Sequence, residues 1–312
     1  MKVTIRTTTY NREKLLPRTI QSVLSQSFTD FEYVIVNNGS TDGTQSIIEE
    51  YRNKDDRIRS FYFTVNNRDS DVWKERNIEK QYNAPYYLNI DDDDFMESTA
   101  VETLYRLITE YEADIASVGS KYIYPDGSMK DKFVFNGFFN YNRIEAMTEL
   151  LKREKFNAAS GGKLFKTELL INNDIPSVAV ARDIYTRYRM LNKINRMVVS
   201  GEPLFYFYRH DHNQSGLDTA EQITPEKLRQ HLEANTMRTQ WLTENMPEIK
   251  DFVFYCELSF MISLYERIYR LEIKDCYMIV EEMKASLLSH NNYLSECGFC
   301  TEKEKEIIKN IF

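Results

Sequence analysis

The sequence predicts an α/β fold, a mostly parallel sheet flanked by helices, followed by a helical C-terminal region. Three observations carry this. Strand and helix signals alternate through the first ~95 residues, polar loops follow successive strands, and beyond residue 217 the pattern turns helical while glycine almost vanishes. The expected division is 1–216 (with parts 1–97 and 98–216) and a helical region 217–312.

In order, Lys2 to Thr8 alternates and reads as a strand. In "NREKLLPRTIQSVLSQS", Leu16, Ile20, Val23 and Leu24 share a helical face, with Pro17 tolerated in the first turn. "FEYVIV" is a buried strand ending in the turn-forming "NNGSTDGT", where Thr41 or Thr44 is expected to cap the helix "QSIIEEYR". "IRSFYF" is a strand, "VWKERNIEKQY" a helix and "YYLNI" a strand. Val101, Leu104, Tyr105 and Ile108 mark an amphipathic helix, and "DIASVGSKYIYPDGSMK" a strand and hairpin turning at Pro-Asp-Gly. "RIEAMTELLKRE" is a helix, Gly161 and Gly162 a turn, and "PLFYFYRHDH" an aromatic strand.

A hydrophobic content of 42% and an aromatic content of 13% supply a real core and argue against disorder. The net charge of −8 and the lack of a long basic run argue against a nucleic-acid binder. "MKVTIRTTTY" is a strand pattern without a signal-peptide core, and no window offers the ~18 apolar residues of a spanning helix. Cytoplasmic placement with reduced thiols is the expectation.

The run Asp91, Asp92, Asp93 and Asp94 at the exit of "YYLNI" is the densest chemistry in the chain. Two carboxylates ~5 Å apart repel by ~3 kcal/mol at an effective dielectric of ~20. Such a run is a solvated acidic turn or part of a cation site. In a parallel sheet, ligands bind at the carboxyl ends of the strands. The loops "TTTYN", "NNGSTD" and "DDDD" should then open on one edge.

These motifs, with Arg76-Asn77 between them, resemble the inverting family 2 glycosyltransferases of the GT-A fold, over roughly residues 1–215 and most strongly before residue 100. The resemblance implies a nucleotide-sugar donor, usually a UDP-sugar, a glycan or glycoconjugate acceptor, and a divalent cation, Mn²⁺ or Mg²⁺. It implies that Asp91 and Asp93 form the metal motif, that Asp92 lies near the ribose, and that Thr8, Tyr10, Asn37, Asn38 and Arg76 serve base and ribose. Arg12 and Asp94 are further candidates. Hard cations take one or two carboxylates plus phosphate oxygens, which agrees. Asn37-Asn38 replaces the more usual acidic pair, which weakens strict uridine selectivity, and simple turn chemistry is the alternative role.

For the base that deprotonates the acceptor hydroxyl, the resemblance points to Asp183 in "VARDIYTRYRM", with Arg182 in place of a companion acid. A helix N-cap is the alternative for Asp183. "YRHDHNQSG" resembles the segment that closes over the diphosphate, which makes His212 a third metal ligand or phosphate contact, with Arg209 and Ser215 nearby. The H-x-H spacing puts His210 and His212 on one face of an extended segment. Lys163 is a candidate acceptor or phosphate contact.

"DFVFYCELSFMISLYERIYRLEIK" is a helix whose polar stripe is only Ser259, Ser263, Glu266 and Arg270. Its apolar girth calls for burial against the catalytic domain, a second copy of the chain, or a membrane surface. Cys297 and Cys300 form a C-x-x-C pair without the βαβ context of a redox motif or the second pair of a zinc site. A non-catalytic nucleotide-sugar or glycan-binding subunit is the competing reading, supported by the Asn37-Asn38 and Arg182 departures. A sugar-1-phosphate nucleotidyltransferase would need a Gly-rich loop where "TTTYNRE" stands.

Overall fold

A computed structural model describes residues 1–66, 82–171, 182–210, 217 and 219–311. The helix expected over "VWKERNIEKQY", together with Arg76, Asn77, His212 and Ser215, lies outside the described residues. Two compact units are present, Met1–Ala179 with Arg189–Asp211, and Val180–Tyr188 with His212–Phe312.

The first unit begins β1 (Val3–Thr9), α1 (Leu16–Leu24), β2 (Phe31–Asn37), α2 (Thr44–Arg52), β3 (Ile58–Tyr62) and β4 (Tyr86–Asn89). It continues through β5 (Phe95–Met96), α3 (Ala100–Glu110), β6 (Ile115–Ile123), β7 (Met129–Phe133), β8 (Phe138–Asn142), α4 (Arg143–Lys152), β9 (Lys163–Lys166), α5 (Glu168–Ile171), α6 (Arg182–Leu191) and β10 (Arg196–Tyr208). The division between units falls within α6, so residues up to Tyr188 group with the helical unit rather than with the 98–216 part expected from sequence.

Strands β3-β2-β1-β4 lie parallel, as the alternation implied. Thr9 pairs with Asn37, and Arg6 with Asn89, so these strands end at one edge. Every residue of β2 is buried, which explains its unbroken apolar run. The α1 residues Leu16, Ile20 and Val23 are buried against Ile5, Ile35 and Leu88 in one core cluster. Each such side chain stabilises the fold by ~1.5–3 kcal/mol.

Past β4 the sheet becomes mixed. β9 runs antiparallel between β4 and β6, β10 is parallel to β6, and β5, β7 and β8 join antiparallel. α2 differs in detail from expectation: neither Thr41 nor Thr44 caps it. Thr44 is its first residue, and the Asp42 carboxylate accepts the Thr44 N–H at 3.0 Å.

The second unit holds α7 (Pro225–Asn245), α8 (Lys250–Arg270), α9 (Tyr277–Ser289), α10 (Asn291–Glu296) and α11 (Glu302–Ile311). Thr224 caps α7 by accepting from Lys227 N, with Pro225 at the first helical position. α8 buries Leu258, Ile262, Leu264, Tyr265 and Ile268 in a cluster with Ile279, Val280, Met283 and Leu287 of α9 and Ile308 of α11. Much of the apolar girth expected to seek a domain, a second copy or a membrane is therefore covered inside this unit. All four cysteines are free, and Cys276 is buried. Among the described residues, no helix is long and apolar enough to cross a membrane.

Candidate active site

Loops after β1, β2 and β4 meet at one edge of the sheet. Asn11 takes a left-handed φ of 52°, which turns its amide onto Ser40 Oγ (2.9 Å) while its Oδ1 accepts Thr41 N–H (2.8 Å). Arg12 N donates to Thr44 Oγ1 (2.9 Å), and Asn38 N donates to Thr9 O (2.8 Å). Gly39 has φ +83°, and a Cβ there would sit 2.6 Å from the backbone of Val65 and Asn66, so only glycine fits this crossing.

The two asparagines are buried and committed to that turn. Asn37 Oδ1 accepts from Ser40 N (3.0 Å) and its Nδ2 donates to Gln45 Oε1 (2.8 Å), while Asn38 Nδ2 donates to Asn66 Oδ1 (3.0 Å). Asn37 thus serves the turn through Ser40 and Gln45, and Asn38 reaches Asn66 beyond β3. Thr8 is half-buried and accepts from Arg6 Nη2 at 3.0 Å.

The four aspartates are unequal. Asp91 is exposed, accepts from Asn89 Nδ2 (3.1 Å), and closes the turn through its carbonyl, which accepts Asp94 N–H at 3.2 Å. Asp92 leans into the β1 loop, with Oδ2 3.4 Å from Tyr10 N and Oδ1 3.4 Å from Arg12 Nε. Burial pushes its pKa up to about 6, and neighbouring Asp93 pushes the same way against the Thr9 hydroxyl, Arg12 and the Tyr10 amide.

Asp93 Oδ2 lies 3.0 Å from His210 Nε2, and its carbonyl accepts from Arg18 Nη2 at 2.7 Å. Asp94 is 4% exposed. Its Oδ1 accepts Tyr208 N–H (3.0 Å) and its carbonyl accepts from Thr19 Oγ1 (2.7 Å). Burial, then the charges of Asp91 and Asp93, raise the Asp94 pKa well above the ordinary carboxylate value. Asp94 thus fastens the turn to β10. Arg18 fills the space between the Phe95 and Tyr208 rings, 4.6 and 4.2 Å from their centroids, and its pKa is lowered by burial.

Two ligands at ~2.1 Å from one octahedral cation and at right angles to each other lie ~3 Å apart. The Asp93–His210 separation of 3.0 Å fits that spacing, with the Asp91 carboxylate exposed on the same turn. Among the described residues, no group of three or more His, Cys, Asp or Glu side chains forms a complete metal cage. The donor set therefore suits a hard cation that also draws on phosphate oxygens and water.

The sequence candidates divide accordingly. Tyr10, Arg12, Asp91, Asp92, Asp93 and Asp94 come together. His210, not singled out as a ligand in the sequence, meets Asp93; the H-x-H spacing was its only signal. Arg18 had no signal beyond its charge in a helix. Lys163 is buried, its ammonium donating to Ala159 O at 2.7 Å rather than standing at the surface. The Arg209 guanidinium lies over the Tyr122 ring, 4.5 Å from the centroid. Asp183 is exposed in the first turn of α6, in the second unit.

Comparison with known proteins matches the Glycosyl transferase family 2 model over residues 4–172. Among curated relatives, glycosyltransferase GlyA of Streptococcus pneumoniae is 31% identical over 176 residues, 54% of this chain and 25% of that protein. The poly(ribitol-phosphate) beta-N-acetylglucosaminyltransferase TarS of Staphylococcus aureus is 28% identical over 66% of this chain and 35% of its own length. The chain thus spans about a quarter to a third of these relatives. In structure, S. aureus TarS 1-349 in complex with UDP-GlcNAc aligns with a TM-score of 0.65 at 19% identity, covering 99% of this chain and 84% of that one. A mannosyltransferase from Pyrobaculum calidifontis in complex with GDP-Man and Mn²⁺ aligns at 0.57 and 10% identity, covering 99% and 79%. At such identities the likeness speaks to fold. The chain belongs to glycosyl transferase family 2 and has its GT-A fold.

Proposed function

We propose that this chain is a cation-dependent, inverting glycosyltransferase that moves a sugar from a UDP-sugar to a hydroxyl of a glycan or glycoconjugate in cell-surface polysaccharide synthesis. The observation that carries this reading is the closure of the β1 loop and β10 around one acidic turn: Asp92 faces Tyr10 and Arg12, and Asp93 faces His210. The activities for which similar proteins are named, transfer to poly(ribitol-phosphate) by TarS and to an undecaprenol-linked oligosaccharide by a Campylobacter jejuni glucosyltransferase, support the substrate class.

In this reading Asp93 and His210, with Asp91, hold Mn²⁺ or Mg²⁺, and Asp92 and Tyr10 receive the nucleoside. When bound, the cation supplies charge neutralisation to the departing diphosphate. Asp183 takes the proton from the acceptor hydroxyl as that oxygen attacks the anomeric carbon and the UDP oxygen leaves with the bonding pair. Arg209 serves the diphosphate, and His212, Ser215 and Arg76, which lie outside the described residues, keep the roles that the resemblance implies.

The test pairs binding with turnover. UDP should raise the melting temperature only with Mn²⁺ present, and Asp183→Asn should keep that shift while lowering transfer by ~10²–10⁴-fold. Unchanged turnover in that variant removes Asp183 as the base. Absence of any nucleotide shift in the wild type removes the donor assignment.

A further inference from the structure

β8 is an edge strand. It pairs with β10 in an unbroken register from Phe138 opposite Ser200 to Asn142 opposite Arg196, and among the described residues no strand lies on its other side. The direction of its backbone groups follows from β10. Gly201 N donates to Gly137 O at 3.1 Å, whereas Arg196 turns the other way, its N–H to the Asp114 carboxylate and its C=O to Asp114 N. Such directions alternate along each strand of an antiparallel ladder. Gly137, Phe139 and Tyr141 therefore face β10, while Phe138 and Asn140 hold their N–H and C=O outward. The Asn142 N–H agrees, leaving the ladder to donate to Glu145 Oε2 at 2.8 Å.

That edge is unguarded. Edge strands are normally blunted by charged side chains, proline or a bulge, because their free groups template pairing with another chain. Residues 134–142, "VFNGFFNYN", hold four aromatics and neither a charged residue nor a proline, in a chain that is 28% charged. Aromatic enrichment with charge depletion is the composition of an interface core. Phe138 is 51% exposed, Phe139 40%, and Asn140 is exposed as well. On the face of the strand the Phe139 ring packs 5.4 Å from Phe135 and 5.5 Å from Tyr141 between centroids, with the Lys155 ammonium over Phe135 and Phe139.

Outward groups placed symmetrically about Phe139 make this edge complementary to itself. On a two-fold axis through Phe139, Phe138 of each copy meets Asn140 of the other in an antiparallel pair. Each such pair exchanges two N–H···O=C bonds, so the outward groups of both residues are satisfied together. The two Phe139 side chains then face each other in the close, non-hydrogen-bonded position where aromatic pairs stabilise a sheet. Two chains of net charge −8 repel, and this neutral stretch lets them meet without like charges opposite each other. We propose that β8 is the contact through which a second copy of this chain continues the sheet, giving a two-fold dimer. Its five residues make a small interface, so the dimer is reversible. The contact stands apart from the donor site: the β8 ladder ends at Ser200, whereas the aspartate turn is held at Tyr208.

Sedimentation velocity of the full chain over a range of concentrations tests it, with circular dichroism confirming that each variant is folded. The wild type should show a reversible monomer–dimer equilibrium. Asn140→Pro removes an outward N–H while sparing the ladder to β10, and should raise the dimer Kd about tenfold or more. Phe139→Lys sets two cations opposite each other on the axis and should do the same, which keeps the test decisive should the proline variant misfold. Asn140→Ala should leave the Kd within about twofold, because the backbone carries the contact. A wild type that stays monomeric overturns the proposal, as does a dimer undiminished in Asn140→Pro and Phe139→Lys. A dimer weakened equally by Asn140→Ala rests on side chains and also overturns it. A monomer whose Phe138 and Asn140 amides gain protection from hydrogen exchange only with added maltohexaose overturns it in favour of a glycan.

Discussion

Asp114 and Asp94 are held by opposite ends of β10, yet their surroundings differ in kind. Asp114 Oδ2 accepts Asn195 and Arg196 N–H (2.7 and 3.1 Å), and its Oδ1 meets Lys166 Nζ at 2.7 Å. Burial works to raise its pKa, but the lysine and the two amides outweigh that and hold it below the ordinary carboxylate value. At the other end, Asp94 shares its turn with three more carboxylates, and both Asp92 and Asp94 are pushed upward by burial and by like charge. A carboxylate that serves the fold is fully compensated by the fold. Asp92 and Asp94 are left under-compensated, which is the state expected of a site that awaits a cation and a nucleotide.

Removing Asp93 should break this contrast most severely. Asp93→Ala should lower transfer by more than ~10³-fold and abolish Mn²⁺-dependent UDP binding, with the melting temperature of the free protein nearly unchanged. Near-normal transfer would refute the cation assignment. Next in size, Asp114→Asn should cost about 2 kcal/mol of stability, read from denaturant unfolding, with turnover per folded molecule unaltered. Because the folded pKa of Asp114 is depressed, its contribution is present above the unfolded value of ~4 and is lost as pH falls through the folded value.

The smallest effect has the opposite sign. Asp92 has a raised folded pKa of about 6, so between ~4 and that value the native state holds the extra proton and stability falls as pH rises. Asp92→Asn should therefore stabilise the free protein by about 1 kcal/mol at pH 8, with no gain below pH ~4, while weakening UDP binding. Unfolding curves at both pH values check it. A destabilised variant at pH 8 would contradict the under-compensated state of Asp92.

Much of this was legible in the chain. The strands before residue 100, α1 with its Pro17, and the common edge of their loops followed from periodicity and turn chemistry, which are local. The mixed half of the sheet was not legible, because antiparallel insertion of β9 between β4 and β6 depends on pairings far apart in sequence. For the same reason the spacing H-x-H marked two histidines without saying that His210 would face Asp93 across 117 positions. Asn37 was expected as a base contact, with a turn role as the alternative. Burial and the Gln45 and Ser40 bonds, which no spacing encodes, show it in the turn. The outward edge of β8 is likewise a property of two strands together.

β10 has a further consequence for the molecule. Its 13 residues reach from the amide taken by Asp114 to the amide taken by Asp94, roughly 40 Å at ~3.3 Å per residue. Its ladder to β6 is irregular only between Val199 and Phe205. Fixed at both ends, the strand acts as a gauge rod. An added or deleted residue in that irregular middle is taken up as a changed bulge or shifts the Tyr208 amide by up to ~3.3 Å relative to Asp94. The length of β10 thus decides whether the Tyr208 amide meets the Asp94 carboxylate.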